Sequence, residues 1–151
     1  MSNIIDNLKL AGRLNIQVFD ANGNIKEERD HDNLVVTAGL TFICSRMKDT
    51  TKGAMSHMAL GSGNTAAAAG QTDLVTLVGS RNALDSTTPA ATSITYVSTF
   101  GAGAATGAIT EAGIFNASTG GDMLCRTVFP VVNKQSGDTM VITWTISLTA
   151  S

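Results

Sequence analysis

The segment from Asp138 to Leu148, DTMVITWTISL, constrains the fold more than any other part of the chain. Met140, Ile142, Trp144, Ile146 and Leu148 alternate with Thr139, Val141, Thr143, Thr145 and Ser147. A period of two filled with β-branched, aromatic and hydroxyl residues suits a half-buried strand, whereas a helix would scatter the apolar residues around its circumference. One face is greasy and the other is lined with hydroxyls. The same pattern sets Leu14, Ile16 and Val18 against Asn15, Gln17 and Phe19, and places Ile94, Tyr96 and Phe100 of TSITYVSTF on one face.

Turn residues divide these runs. Asn22-Gly23 predicts a type I′ hairpin turn, returning through the polar strand IKEERD, whose charges suit an exposed sheet edge. AITEAGIF and DMLCRTVF flank NASTGG and predict a second hairpin, turning near Ser118 to Gly120. Pro130 is expected to end its return strand, and Gly137-Asp138 to turn the chain into the closing strand. Thr37 is positioned to cap the one predicted helix, with Leu40, Phe42, Ile43 and Met47 roughly on one side. After the polar loop Lys48 to Gly53, AMSHMALG reads as a buried strand that enters a glycine loop at Gly61 and Gly63. Asn64 to Gly70 and GAGAATG read as flexible loops, Gln71 to Val78 as a short helical turn, and Ser80 to Ser86 as a strand. About eight strands, one short helix and recurrent turns predict a mainly β, single-domain antiparallel β-sandwich of jelly-roll type. It would span 13–151, behind an N-terminal arm or linker at 1–12.

Composition narrows the functional classes. A net charge of −2 and a pI near 5.5 give no electrostatic reason to bind nucleic acid or an anionic membrane. Charged residues are only 15% of the chain, which suits a subunit covered by neighbours better than a freely diffusing enzyme. Cys44 and Cys125 match no metal or redox spacing and read as free buried thiols in a reducing compartment. MSNIIDNLKL lacks the apolar core of a secretion signal, no apolar run reaches membrane-spanning length, and synthesis in a bacterial cytoplasm is expected.

The distribution of reactive residues points away from an enzyme. Nucleophilic catalysis needs a base beside Ser, Cys or Thr, and the two histidines, His31 and His57, come with no nucleophile motif. Two isolated histidines do not make a zinc site. Gly61-Ser62-Gly63-Asn64 lacks the lysine and following helix of a phosphate loop, and DANGN lacks the closing glutamate of a calcium loop. Asn116-Ala117-Ser118 fits a glycosylation sequon but reads as a polar turn. No catalytic, cofactor or metal residue is assigned. One charged pair does stand out. Pairing Ile114 with Met123 across the hairpin would set Glu111 opposite Arg126 within apolar strands, where an unpaired charge is costly. The expectation is a structural ion pair that fixes register, joined by Arg81.

Taken in order, NLVVTAGLTFICSRM, MSHMALGSGNTAAAAGQTDLVT, Arg81 and ITEAGIFNASTGGDMLCRTVFPVVNKQSGDTMVITWTISL resemble a group of small virion structural proteins of tailed bacteriophages. The resemblance runs from about Asn33 to Leu148 and lies in glycine turns and strand patterns, with no chemical signature. It implies a virion protein made in the host cytoplasm, either a head decoration (cement) protein or a tail, baseplate or fibre component. The implied partners are the major capsid protein or tail proteins of the same virion, with further copies of the chain as a dimer or trimer. Decoration leads because a cement protein should be compact and β-rich, with an arm and loops able to approach a neighbour. Gly61, Ser62, Gly63, Asn64 and Thr65 in one loop, and Gly101 and Gly103 in the other, are the expected partner contacts. Fibre proteins more often show heptads or repeats, and neither is seen here. A carbohydrate-binding module is the third reading. It would need an aromatic platform, whereas Tyr96 and Trp144 have apolar same-face neighbours and read as core.

Overall fold

The computed structural model describes residues 7–48 and 52–150, in which the alternating segments form strands paired antiparallel throughout. In chain order the elements are β1 (Leu8–Phe19), β2 (Ile25–Val35), α1 (Thr37–Lys48), β3 (His57–Gly61) and β4 (Asn82–Ala83). They continue with β5 (Ser86–Pro89), β6 (Ser93–Phe100), β7 (Gly107–Phe115), β8 (Met123–Lys134) and β9 (Thr139–Ala150). The spatial order is β4-β3-β7-β8-β2-β1-β9-β6-β5.

This is one strongly curled sheet, a half-barrel, and the expected two-sheet sandwich is corrected accordingly. The reason lies in β2. It pairs with β1 from Phe19↔Ile25 to Gly12↔Asn33, and its last residues, Leu34 and Val35, then pair with Arg126 and Cys125 of β8. The hydrogen-bond ladder therefore passes around the bend instead of stopping at a sheet edge. The two ends of the order, β4 and β5, are separated in sequence only by Leu84 and Asp85. Leu84 N–H donates to Ser56 O at 2.9 Å and Asp85 N–H to Val97 O at 2.7 Å, so this short segment spans from one sheet end to the other.

The concave face holds the main core. Leu14, Ile16 and Val18 of β1 and Met140, Ile142, Trp144 and Ile146 of β9 meet Met58 and Leu60 of β3, Ile109 and Ile114 of β7, and Phe129 of β8. Burying each such aliphatic or aromatic side chain contributes about 1.5–3 kcal/mol, so these alternating rows hold the fold. Trp144 is fully buried, and its indole Nε1 donates to Asn33 Oδ1 at 2.9 Å. Asn33 lies against the backbone of Gly12, where a Cβ would sit 1.8 Å from that same oxygen. Gly12 is what lets the amide reach the tryptophan.

Several local expectations change. Leu8 to Gly12 of the expected arm are strand, and residues 1–6 lie outside the described residues, as do 49–51 of the polar loop. The first hairpin turns through residues 20–24 with only Gly23 at positive φ, and Asp20 Oδ1 braces the turn by accepting from the amides of Asn22 and Asn24. Val36, not Thr37, opens the helix by accepting from Leu40 N–H at 3.1 Å. On α1, Phe42 is buried while Leu40 and Met47 are exposed. Residues 71–78 form no helical turn, and the strand expected over 80–86 is reduced to the short β4 and the start of β5. Strand β8 runs on through Pro130. The β7–β8 register slips between Ile109 and Glu111, and a bulge accommodates the missing N–H. Among the described residues no helix is long and apolar enough to cross a membrane.

Candidate functional site

The charged pair singled out in the sequence lies at the centre of the convex face of β3, β7 and β8. Glu111 and Arg126 are both fully buried, and Arg126 Nε and Nη2 donate to Glu111 Oε2 at 2.9 and 2.7 Å. They are diagonal neighbours, since Arg126 faces Gly113 and Glu111 faces Val128. The expected Ile114–Met123 pairing is corrected to Ile114–Cys125, because a register shift beside Phe115 sets Phe115 against Met123. Arg81 does not join the pair. Its guanidinium stacks 3.6 Å from the Phe115 ring centroid and donates to Ala117 O at 2.9 Å and Gly120 O at 2.7 Å, fastening the β7–β8 turn.

The pair's remaining hydrogen bonds all go to one loop. The amides of Gly63, Val75 and Thr76 donate to the Glu111 carboxylate at 3.0, 3.0 and 2.7 Å. Arg126 Nη1 donates to Thr65 O at 2.8 Å and Gln71 Oε1 at 3.0 Å. Residues 62–78 thus form a strap across the sheet. Burial alone would raise the Glu111 pKa, but the amides of Thr76 and Val75, the Arg126 guanidinium and the Gly63 amide outweigh it and hold the carboxyl below its ordinary value. Gly61 and Gly63 leave the space this needs, since a Cβ on either would stand 2.4 or 2.6 Å from Glu111 Oε1. Both glycines are buried, while Ser62, Asn64 and Thr65 are exposed.

The second expected contact loop is also tied down. Lys134, buried at the end of β8, donates to Gly101 O at 2.9 Å, and Gly103 N–H donates to Ser136 O at 2.8 Å. Gly103 is exposed with φ of 81°, whereas Gly101 is half-buried. Burial lowers the Lys134 pKa, and the nearby Asp138 carboxylate opposes that shift. Asp138 is itself held below the usual carboxylate range by Lys26 Nζ at 2.8 Å and the Gln135 amide at 2.9 Å. Sequence reasoning missed Lys134 and Asp138. The only signal for Lys134 was that it continues the inward alternation of Val132.

Ser56 Oγ lies 2.8 Å from His57 Nδ1 of the adjacent residue, and the His31 ring packs 5.8 Å from that of Phe129. Tyr96 and Trp144 are buried on the concave face, and burial pushes the Tyr96 phenol up to about 12. Cys125 is buried but Cys44 is exposed, which corrects the reading of two buried thiols. No cluster of His, Cys, Asp and Glu able to hold a metal occurs among the described residues. An open cavity of about 430 Å³ lies between the strap, β2 and β8, with Asp32, Asn33, Asn64 and Arg126 in its wall. Another of about 320 Å³ lies on the outer face by Arg13, Asp32 and Thr145. The arrangement supplies held surfaces and bracing, with Arg126 already engaged by Glu111, Thr65 and Gln71. No protein-family model, curated protein or solved structure matches the chain.

Proposed function

We propose that this chain is a non-enzymatic structural protein of a tailed-bacteriophage virion, a capsid decoration protein that bridges capsid subunits. The observation that carries the reading is the outer face of β5, β6 and β9. Its cross-strand rows, Thr88–Thr95–Thr145 and Ser86–Val97–Thr143, continue into Ser93–Ser147. None of the three strands contains a charged residue. A neighbour can cover such a face without stranding an ion in a low dielectric, and each hydroxyl can exchange water for a partner's hydrogen bond. The motif resemblance to small virion proteins points to the same role, and the fastened loops give a partner a surface that needs little further ordering on contact.

The test is position. Particles from a lysate producing this chain should carry it over the whole head when imaged by cryo-electron microscopy. Heads that lack it should break open at a lower temperature. A few copies confined to the tail would move the protein to the tail-component reading, and absence from particles would remove both.

A further inference from the structure

A stretch of mainly small residues with a single charge and no hydrophobic period does not keep a fixed path by itself, because ordering it costs backbone entropy and its polar groups need partners. The strap 62–78 draws its partners largely from one place. Three of its amides end on the Glu111 carboxylate, and Thr65 O and Gln71 are held by Arg126. Beneath it lies a small apolar cluster, separate from the main core, made of Val36, Ala59, Leu74, Phe115 and Met123. Leu74 is the strap's only contribution to that cluster, while Val75 and Leu77 are exposed. Just beyond the strap, Gly79 has φ of 72°, and Gly61 marks its other end. Lifting the strap would bare Ala59, Phe115 and Met123, and of its residues only Val78, at its very end, packs against the concave core.

We infer that residues 62–78 open and close as a local unit, that neutralising the Glu111 carboxylate releases them, and that release uncovers the apolar outer face of β3, β7 and β8. The driving force is the other half of the pair. A protonated Glu111 leaves Arg126 as a buried cation without its counter-ion, and the way to hydrate it is to move the strap aside. The charged groups around Glu111 are consistent with this role. From β8 comes Arg126, and from β2 Asp32 lines the same cavity as Arg126. From β3 the facing residue is Gly61, with His57 at the far end of the strand opposite Phe115. The strap's one charged side chain, Asp73, turns to Arg81 at 3.5 Å. Helix α1 meets the strap through its backbone, Thr37 N–H donating to Ala69 O at 2.8 Å.

Hydrogen exchange of the full chain, read by mass spectrometry and corrected for intrinsic rates, tests this. In Glu111→Gln at neutral pH the strap should lose protection by at least about tenfold while β9 changes by less than about twofold, with a parallel rise in binding of an apolar dye. The wild-type chain should show the same order on acidification, strap first and β9 later. Strap and β9 losing protection together, or a strap unaffected by Glu111→Gln, would overturn the inference. If that variant does not fold, the acid series on the wild-type chain decides by the same criterion.

Discussion

Substituting Gly12 tests the link between backbone and core. In Gly12→Ala the new methyl would stand 1.8 Å from Asn33 Oδ1 and 2.5 Å from its Cγ, so the amide must leave. Forcing a methyl into a packed site costs about 1–3 kcal/mol. Displacing Asn33 also strips the acceptor of the fully buried Trp144 indole, worth about another 1–3 kcal/mol. The expected loss is about 2–6 kcal/mol, a fall in thermal midpoint of roughly 5–20 °C for a chain of this size. Trp144 is the sole tryptophan, so denaturant titration followed by its fluorescence reports on the site itself. Asn33→Ala alone should cost about 1–3 kcal/mol, through the lost acceptor. In the double variant the methyl enters space already vacated, so the loss should match Asn33→Ala alone and fall well short of the sum. Additive penalties, or a Gly12→Ala variant within about 0.5 kcal/mol of the wild type, would refute the steric link.

Other measurements bear on the charged groups and thiols. Glu111 and Asp138 both have folded pKa values below their ordinary 4.5 and 3.8, so their stabilisation is complete above that range and lost as pH falls through the lowered values. The thermal midpoint should be nearly level from neutral pH to about 5 and drop steeply below about 4, and a level profile to lower pH would contradict it. Arg81→Met removes a cation from the face of Phe115 and two carbonyl contacts, and should cost about 1–3 kcal/mol in chemical denaturation. A thiol reagent should modify Cys44 in the native chain and reach Cys125 only after unfolding, and simultaneous reaction of both would disagree with their burial.

Strands were the legible part of the sequence. In β1, β6 and β9 the two-residue period alone separated inside from outside, because each has one face on the core. Glu111 and Arg126 were legible as a pair because charge inside an apolar run demands a partner, but their register was not, since a bulge adds a residue without a sequence mark. The path of the strap was hidden for a different reason. Its backbone is positioned by side chains distant in sequence, and its Ala, Gly and Thr residues carry no period of their own. The choice of half-barrel over sandwich rested on which strands meet at long range, above all on β2 changing partners at Leu34, and local pattern does not encode that.

The position of β9 between β1 and β6 has a kinetic consequence. Among the described strands it is the last in chain order, yet it joins the β1–β2 hairpin to the β5–β6 pair. Before it arrives, these are two separate fragments, each with an unpaired edge facing the gap. During synthesis neither edge can be satisfied until nearly all the described chain has emerged. Folding should therefore be slow, as expected for pairings between distant segments, and the interval before β9 inserts is when the chain is most open to mispairing with its neighbours on the ribosome.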